Sequence, residues 1–72
     1  MDQNFPPANR SRARLERAGW SVNDNAVITP QGLRWQVTGS HGETTLEVEC
    51  DSQSEAWFQA CQRAKAVGLL GK

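Results

Sequence analysis

The sequence predicts an α+β domain of order α-β-β-β-α, with one face of a three-stranded antiparallel sheet covered by the C-terminal helix. Two observations lead to this prediction. Residues 33–38 and 43–50 alternate between apolar and polar side chains on either side of a glycine-containing turn, which is typical of a hairpin. After Ser52 the apolar residues instead recur at helical spacing. Because a sheet with one apolar face must bury it, we expect the last helix to pack there.

The first element of the chain is a short helix that follows a leader. Residues 1–8 contain two adjacent prolines and are expected to be flexible, so that residues 9–70 form the single α+β domain. Asn9 is a plausible N-cap for a helix over Arg10–Ala18, and Gly19 is a typical C-terminal stop. The helix has one large apolar side chain and therefore needs tertiary contacts to form.

The first two strands are separated by a tight turn. Asn23-Asp24-Asn25 is itself typical of a turn, so the first strand is predicted only over Ala26–Thr29. Pro30-Gln31-Gly32 then leads into the strongest strand, Leu33–Thr38. The buried face of that strand is expected to carry Leu33, Trp35 and Val37.

The third strand, Glu43–Cys50, follows a predicted four-residue turn, Gly39-Ser40-His41-Gly42. Such a turn sets Thr38 opposite Glu43. The register would then place Trp35 opposite Leu46, Leu33 opposite Val48 and Arg34 opposite Glu47. A slip by one residue would turn every apolar side chain to water, so the register should be well specified.

The last helix begins at a capping box in which Ser52 accepts from the backbone N–H of Glu55. Gly68 is a natural C-terminal stop for this helix. Two large apolar residues, Phe58 and Leu69, lie outside its apolar arc. Phe58 either packs under the leader or the first helix, or forms with Leu69 an exposed apolar surface that contacts another protein.

Composition limits the function classes open to the chain. The 72 residues carry eight basic and eight acidic side chains, and the formal net charge is zero. This balance is far from that of a dedicated nucleic-acid binder, and it permits self-association. Because the N-terminal residues lack an apolar export signal and no segment is long enough to span a bilayer, we expect a cytoplasmic protein with no membrane contact.

No combination of residues predicts catalysis or metal binding. His41, the single histidine, is expected in an exposed turn and has no acidic or nucleophilic partner at a recognisable spacing. Cys50 and Cys61 fall on inward faces and are expected to be reduced, buried apolar residues. A zinc site needs four ligands at short spacings. We therefore expect no enzyme activity, no cofactor and no metal.

The arginines of the first helix are the most informative charged residues. Arg10, Arg12 and Arg14 stand near the start of the predicted helix, where the helix dipole disfavours cations. One interpretation is that an external anion such as a phosphate backbone binds them. The other is that the helix begins later, near Arg14, and that the earlier arginines belong to a solvated tail.

The α-β-β-β-α order over residues 9–70, the turn at Pro30-Gln31-Gly32 and the alanine-rich last helix resemble the double-stranded RNA-binding domain. The resemblance implies that the first helix and this turn touch successive minor grooves of a duplex. In that family a lysine-rich start of the last helix contacts phosphates. Here Asp51, Ser52, Gln53, Ser54 and Glu55 stand in its place.

We therefore expect a small non-catalytic binding module that takes part in protein–protein contact or self-association, through Phe58 and Leu69. The alternative is a weak nucleic-acid-binding domain. Its expected contact residues are Arg10, Arg12, Arg14, Arg17 and Gln31.

Overall fold

A computed structural model describes residues 5–70 of the chain, so the first four residues of the predicted leader lie outside the described residues. The elements are α1 (Ala8–Arg17), β1 (Ser21–Thr29), β2 (Gly32–His41), β3 (Thr44–Cys50) and α2 (Gln53–Ala66). The predicted α-β-β-β-α order is confirmed, with one antiparallel sheet in the order β1-β2-β3. Within residues 5–70 no helix is long and apolar enough to cross a membrane.

Helix α1 begins earlier than the sequence predicts. Pro7, not Asn9, is the N-cap, and its carbonyl oxygen accepts from the backbone N–H groups of Arg10 (3.0 Å) and Ser11 (3.3 Å). Proline suits the start of a helix because its ring fixes φ and it lacks an N–H to satisfy. The expectation that the helix begins near Arg14, after a solvated tail, is therefore wrong.

Both helices end in the same capping motif, and glycine makes it possible. After α1, the backbone N–H groups of Gly19 and Trp20 donate to the carbonyls of Glu16 and Leu15, each at 3.0 Å. Gly19 has φ of +100°, a conformation that favours glycine. This is the Schellman arrangement, and Gly68 provides it again after α2 with φ of +77°.

Strand β1 is longer than predicted, because Asn23-Asp24-Asn25 belongs to the strand and not to a turn. Every residue from Ser21 to Thr29 has a partner on β2, with Asn23 opposite Thr38 and Asn25 opposite Gln36. The two asparagine side chains point to the solvent-exposed outer face. Asp24 lies on the inner face, where α2 holds its carboxylate. Pairing along a whole neighbouring strand thus outweighs the local turn preference.

The hairpin between β2 and β3 is tighter than predicted. His41 pairs with Thr44 across a two-residue turn in which Gly42 has φ of +61°. This matches a type II′ turn, whose first central residue is usually glycine. As a result Trp35 lies opposite Cys50, not Leu46, and Thr38 lies opposite Glu47. The predicted register is wrong by an even number of residues, so each side chain still occupies the predicted face.

The core lies between the sheet and the two helices. Helix α2 packs on β2 and β3, while α1 packs against α2 and β1. The buried apolar residues are Leu15, Trp20, Val37, Leu46, Val48, Ala56, Trp57, Ala60, Cys61 and Ala64. Trp57, 1% exposed, is the largest fully buried side chain. Leu33, which was expected in this core, is instead 51% exposed because it lies beyond the end of the helix layer.

Candidate functional site: three surfaces and a half-buried carboxylate

The arginines of α1 do not act as one cluster. Arg12 is held within the domain: its Nε donates to Glu16 at 3.1 Å, and its guanidinium carbon lies 5.8 Å from the centre of the Trp57 ring. An i,i+4 pair of this kind stabilises a helix modestly, and cation–π contact adds to it. Arg12 therefore has a structural role that the charge pattern alone did not reveal.

Arg14 and Arg17 line a cleft of about 470 Å³ at the C-terminal end of α1. His41, at the end of β2, and residues 68–70, after α2, form its other walls. Among the described residues that line this cleft there is no carboxylate. The cleft therefore brings two exposed guanidinium groups and a histidine together around an open, positively charged space. We call it the Arg14–Arg17 cleft.

His41 is fixed in place and is not the exposed turn residue that the sequence predicts. It is half-buried at the end of β2, where its Nε2–H donates to the carbonyl of Ala18 at 3.2 Å. Its ring centre is 5.4 Å from that of Trp20. The hydrogen bond ties the β2–β3 turn to the end of α1, so one wall of the Arg14–Arg17 cleft is rigid.

The remaining predicted nucleic-acid contacts are dispersed. Arg10 is exposed in the first turn of α1. Gln31 is exposed in the β1–β2 turn, where its backbone N–H donates to the hydroxyl of Thr29 at 3.2 Å. This turn and His41 lie at opposite ends of β2, so Gln31 is not part of the Arg14–Arg17 cleft.

Phe58 and Leu69, the predicted protein-contact residues, are both half-buried. The centre of the Phe58 ring lies 5.2 Å from the centre of the Phe5 ring, and Phe5 belongs to the predicted leader. Leu69 packs against the core, and its carbonyl accepts from the indole Nε1–H of Trp20 at 2.8 Å. The two side chains thus have contacts within the domain, and their role in binding a protein stays a prediction.

The start of α2 is engaged in contacts within the chain. Asp51 accepts from Arg34 at 2.6 Å, and Glu49 lies 3.4 Å from the same guanidinium group. Ser52 accepts from the backbone N–H of Glu55 at 3.2 Å, as the predicted capping box requires. Arg34 thus pairs with Asp51 and Glu49. The predicted pairing with Glu47 is wrong, because Glu47 accepts from Gln36 Nε2 at 3.1 Å.

Asp24 is a structurally important residue that sequence reasoning missed, because it lies in a segment with turn-like composition. Its carboxylate accepts from Gln53 Nε2 at 2.9 Å and from Trp57 Nε1 at 3.1 Å. The hydrogen bond from Gln53, together with that from Trp57 and the charge of Arg12, lowers the pKa of Asp24 below its ordinary value, although burial opposes this effect. The carboxylate therefore anchors β1 to α2.

A second feature absent from the predictions is an apolar surface at the far end of the β1–β2 hairpin. Ile28 is 85% exposed and Leu33 is 51% exposed, and the two are cross-strand neighbours. Scattered exposed apolar side chains are ordinary, but adjacent ones form a continuous surface that a partner can cover. We call this pair the Ile28–Leu33 patch. The signal in the sequence was Ile28 itself, a large β-branched apolar residue in the short predicted strand Ala26–Thr29.

The two sheet edges differ in charge. Within residues 5–70, β1 pairs only with β2 and β3 pairs only with β2, so each has an unpaired edge. Strand β3 carries Glu47 and Glu49, whose charges oppose the approach of another strand. Strand β1 contains neither lysine nor proline, and its single charged residue, Asp24, is turned inward. The β1 edge therefore lacks the protective features of β3.

The cysteines are not arranged as a metal site. Cys50 is half-buried and Cys61 is buried, and both are free thiols. Cys61 Sγ donates to the carbonyl of Ser11 at 3.4 Å. In the part of the chain that the structure describes, no three histidine, cysteine, aspartate or glutamate side chains are close enough to hold a metal ion.

The topology is compatible with that of the double-stranded RNA-binding domain that the sequence resembles. No family model, curated protein or solved structure matches the chain.

Proposed function

We propose that this chain is a small, non-catalytic binding module that associates with a second copy of itself through the edge of β1. The observation that carries the proposal is the Ile28–Leu33 patch: Ile28 is 85% exposed on an edge strand whose outer face carries no charged side chain. An unprotected edge is a template for a further strand. Addition of a strand from another chain is an established mode of protein recognition.

The charge pattern favours a second copy as the occupant. An uncharged strand edge is best matched by another uncharged edge, and β1 of a second copy supplies one. Pairing β1 with β3 of another copy would instead expose Glu47 and Glu49 to the interface. It would also be a head-to-tail contact that does not close, whereas pairing β1 with β1 gives a closed dimer with two-fold symmetry. The zero net charge removes long-range repulsion between copies.

Antiparallel pairing about the middle of β1 gives a specific arrangement. Asn25 is the central residue of Ser21–Thr29 and would lie opposite Asn25 of the second copy. Ile28 would then lie opposite Val22 of the second copy, on the same face of the continuous sheet. The exposed Ile28 side chain would gain an apolar neighbour, and the unpaired backbone groups of both edges would gain hydrogen-bond partners.

The oligomeric state as a function of concentration tests this proposal. We expect the unmodified chain to form dimers in sedimentation equilibrium and the variant Ile28→Lys to be monomeric, because a lysine on an edge strand opposes pairing. Val67→Lys is the matched control, since Val67 is 55% exposed but is the C-cap of α2 and is not part of β1. A chain that remains monomeric at millimolar concentration, or equal dimerisation of both variants, contradicts the proposal.

Nucleic-acid binding through α1 is the second candidate, favoured by the exposure of Arg10, Arg14 and Arg17 on one side of that helix. The acidic start of α2 opposes it. A short RNA duplex would bind with an affinity that falls steeply with salt, and replacing these three arginines with glutamine would weaken the binding and reduce its salt dependence. Equal affinity of the triple variant and the unmodified chain would exclude this function.

A further inference from the structure

The Arg14–Arg17 cleft lies at the opposite end of β2 from the Ile28–Leu33 patch and has a different chemistry. It is open, measures about 470 Å³, and combines two guanidinium groups with the half-buried apolar residues Leu69 and Leu70. This volume lies within the usual range for small-ligand sites, about 300–1,000 Å³. We propose that the cleft binds the phosphate group of a phosphate monoester, with the organic part of the ester lying against Leu69 and Leu70.

The positive charges of Arg14 and Arg17 favour the binding of an anion. Arg14 and Arg17 are three residues apart in α1 and thus adjacent on its surface, where like charges repel. Their position in the last turn of the helix is favourable to cations, which offsets part of this repulsion. Within residues 5–70 neither guanidinium has a carboxylate at salt-bridge distance, whereas Arg12 and Arg34 both do. A dianion between Arg14 and Arg17 would neutralise both charges.

Phosphate suits these groups because the planar guanidinium fork donates two parallel hydrogen bonds to two phosphate oxygens. The walls of the cleft are already fixed. His41 is held by its hydrogen bond to the Ala18 carbonyl, and Leu69 by the hydrogen bond from Trp20 to its own carbonyl. Since the elements that surround the anion are tied together before it binds, only the arginine side chains have to be ordered on binding.

The cleft and the Ile28–Leu33 patch can be tested independently. The Ile28–Leu33 patch lies at one end of β2 and His41 at the other. At about 3.3 Å per residue the strand length from Leu33 to His41 is roughly 26 Å. A ligand in the cleft therefore does not contact the patch, and a monomeric Ile28→Lys variant should retain phosphate binding.

The test is a two-dimensional amide NMR titration of the full chain with three probes: inorganic phosphate, phenyl phosphate and a short RNA duplex. We expect saturable shifts at Ala18, His41 and Leu69, with phenyl phosphate binding more tightly than inorganic phosphate. The double variant Arg14→Gln/Arg17→Gln should bind roughly tenfold more weakly or worse, because it loses charge-assisted hydrogen bonds. The double lysine variant should recover part of the affinity, because it keeps the charge but not the fork.

Arg63→Gln is the matched control, because Arg63 is an exposed arginine of α2 that does not line this cleft. It should bind phenyl phosphate as the unmodified chain does. Tighter, salt-sensitive saturation of the same three amides by the RNA duplex would show that the cleft prefers a phosphodiester backbone, and would overturn the assignment to a phosphate monoester. The proposal is overturned if phosphate causes no more shift than chloride, or if the glutamine double variant binds with unchanged affinity.

Discussion

The indole Nε1–H of Trp57 donates a 3.1 Å hydrogen bond to the carboxylate of Asp24. This contact joins the most buried large side chain of α2 to the middle of the edge strand β1. It explains why a segment with turn-like composition is a strand: the inner face of β1 is fixed to the helix layer by a polar anchor. It also turns the single charge of β1 away from the open edge that we propose as the dimer interface.

Removing the Asp24 carboxylate should destabilise the domain. Asp24→Ala leaves the indole N–H of Trp57, whose side chain is 1% exposed, without its acceptor. An unsatisfied buried donor costs about 1–3 kcal/mol, so we expect a loss of this size in the free energy of unfolding. Chemical denaturation measures it. Asp24→Asn keeps an acceptor and should lose less; equal losses in the two variants would contradict an anchoring role.

The same carboxylate predicts a dependence of stability on pH. Hydrogen bonds from Gln53 and Trp57 lower the pKa of Asp24 below its ordinary value of 3.8. The stabilisation is therefore fully present above pH 3.8 and is lost as the pH falls through the lowered pKa. The difference in unfolding free energy between the unmodified chain and Asp24→Asn should shrink between pH 6 and pH 2. A difference that is constant over this range would show that the charge of Asp24 does not contribute.

Gly39 should be intolerant of a side chain. A Cβ atom added there would lie 3.0 Å from Val22 Cγ1, closer than ordinary van der Waals contact, and 3.4 Å from Trp20 Cε3, at the lower limit of such contact. Overpacking of this kind typically costs about 1–3 kcal/mol, so Gly39→Ala should lower the melting temperature clearly. The neighbouring Ser40 is exposed, and Ser40→Ala should change it little. Equal melting temperatures for both variants would mean that β1 can shift to make room.

The two thiols should differ in reactivity. Burial raises the pKa of the Cys61 thiol and that of the Cys50 thiol, so both have little thiolate near neutral pH. Cys61 is 3% exposed, whereas Cys50 is half-buried at the end of β3. We expect a thiol reagent to modify Cys50 slowly and Cys61 only when the domain opens, while both react at once in denaturant. Modification of Cys61 at the rate of Cys50 would contradict the packing.

The sequence predicts the fold well where a single residue type determines local geometry. Gly19 and Gly68 end their helices as expected, Ser52 caps α2, and the alternation in β2 and β3 assigns the correct faces. The predicted hairpin register failed because glycine residues were assigned to a wide turn. In the structure Gly39 continues the strand against Val22, and of these two glycines Gly42 alone takes a positive φ.

The candidate sites depend on contacts between residues distant in sequence, which a single sequence does not reveal. The charge pattern of the first helix grouped Arg12 with Arg14. In the structure Arg12 instead contacts Glu16 and Trp57 and does not line the cleft. The exposure of Ile28 follows from the length of the helix layer, which ends before the hairpin does. The periodicity of the sequence assigns each side chain to one face of its helix or strand. It does not show how much of that face another element covers, so neither outcome could be deduced from it.

Mixing two charge-substituted variants tests the proposed β1 pairing most directly. Asn25 is exposed at the centre of β1 and would lie opposite its own copy in the dimer. Asn25→Lys and Asn25→Glu should each be monomeric alone, because like charges oppose each other across the pair. Their equimolar mixture should form a one-to-one dimer in sedimentation equilibrium. Dimers of either variant alone, or a mixture that remains monomeric, would contradict the proposal that two copies associate through β1.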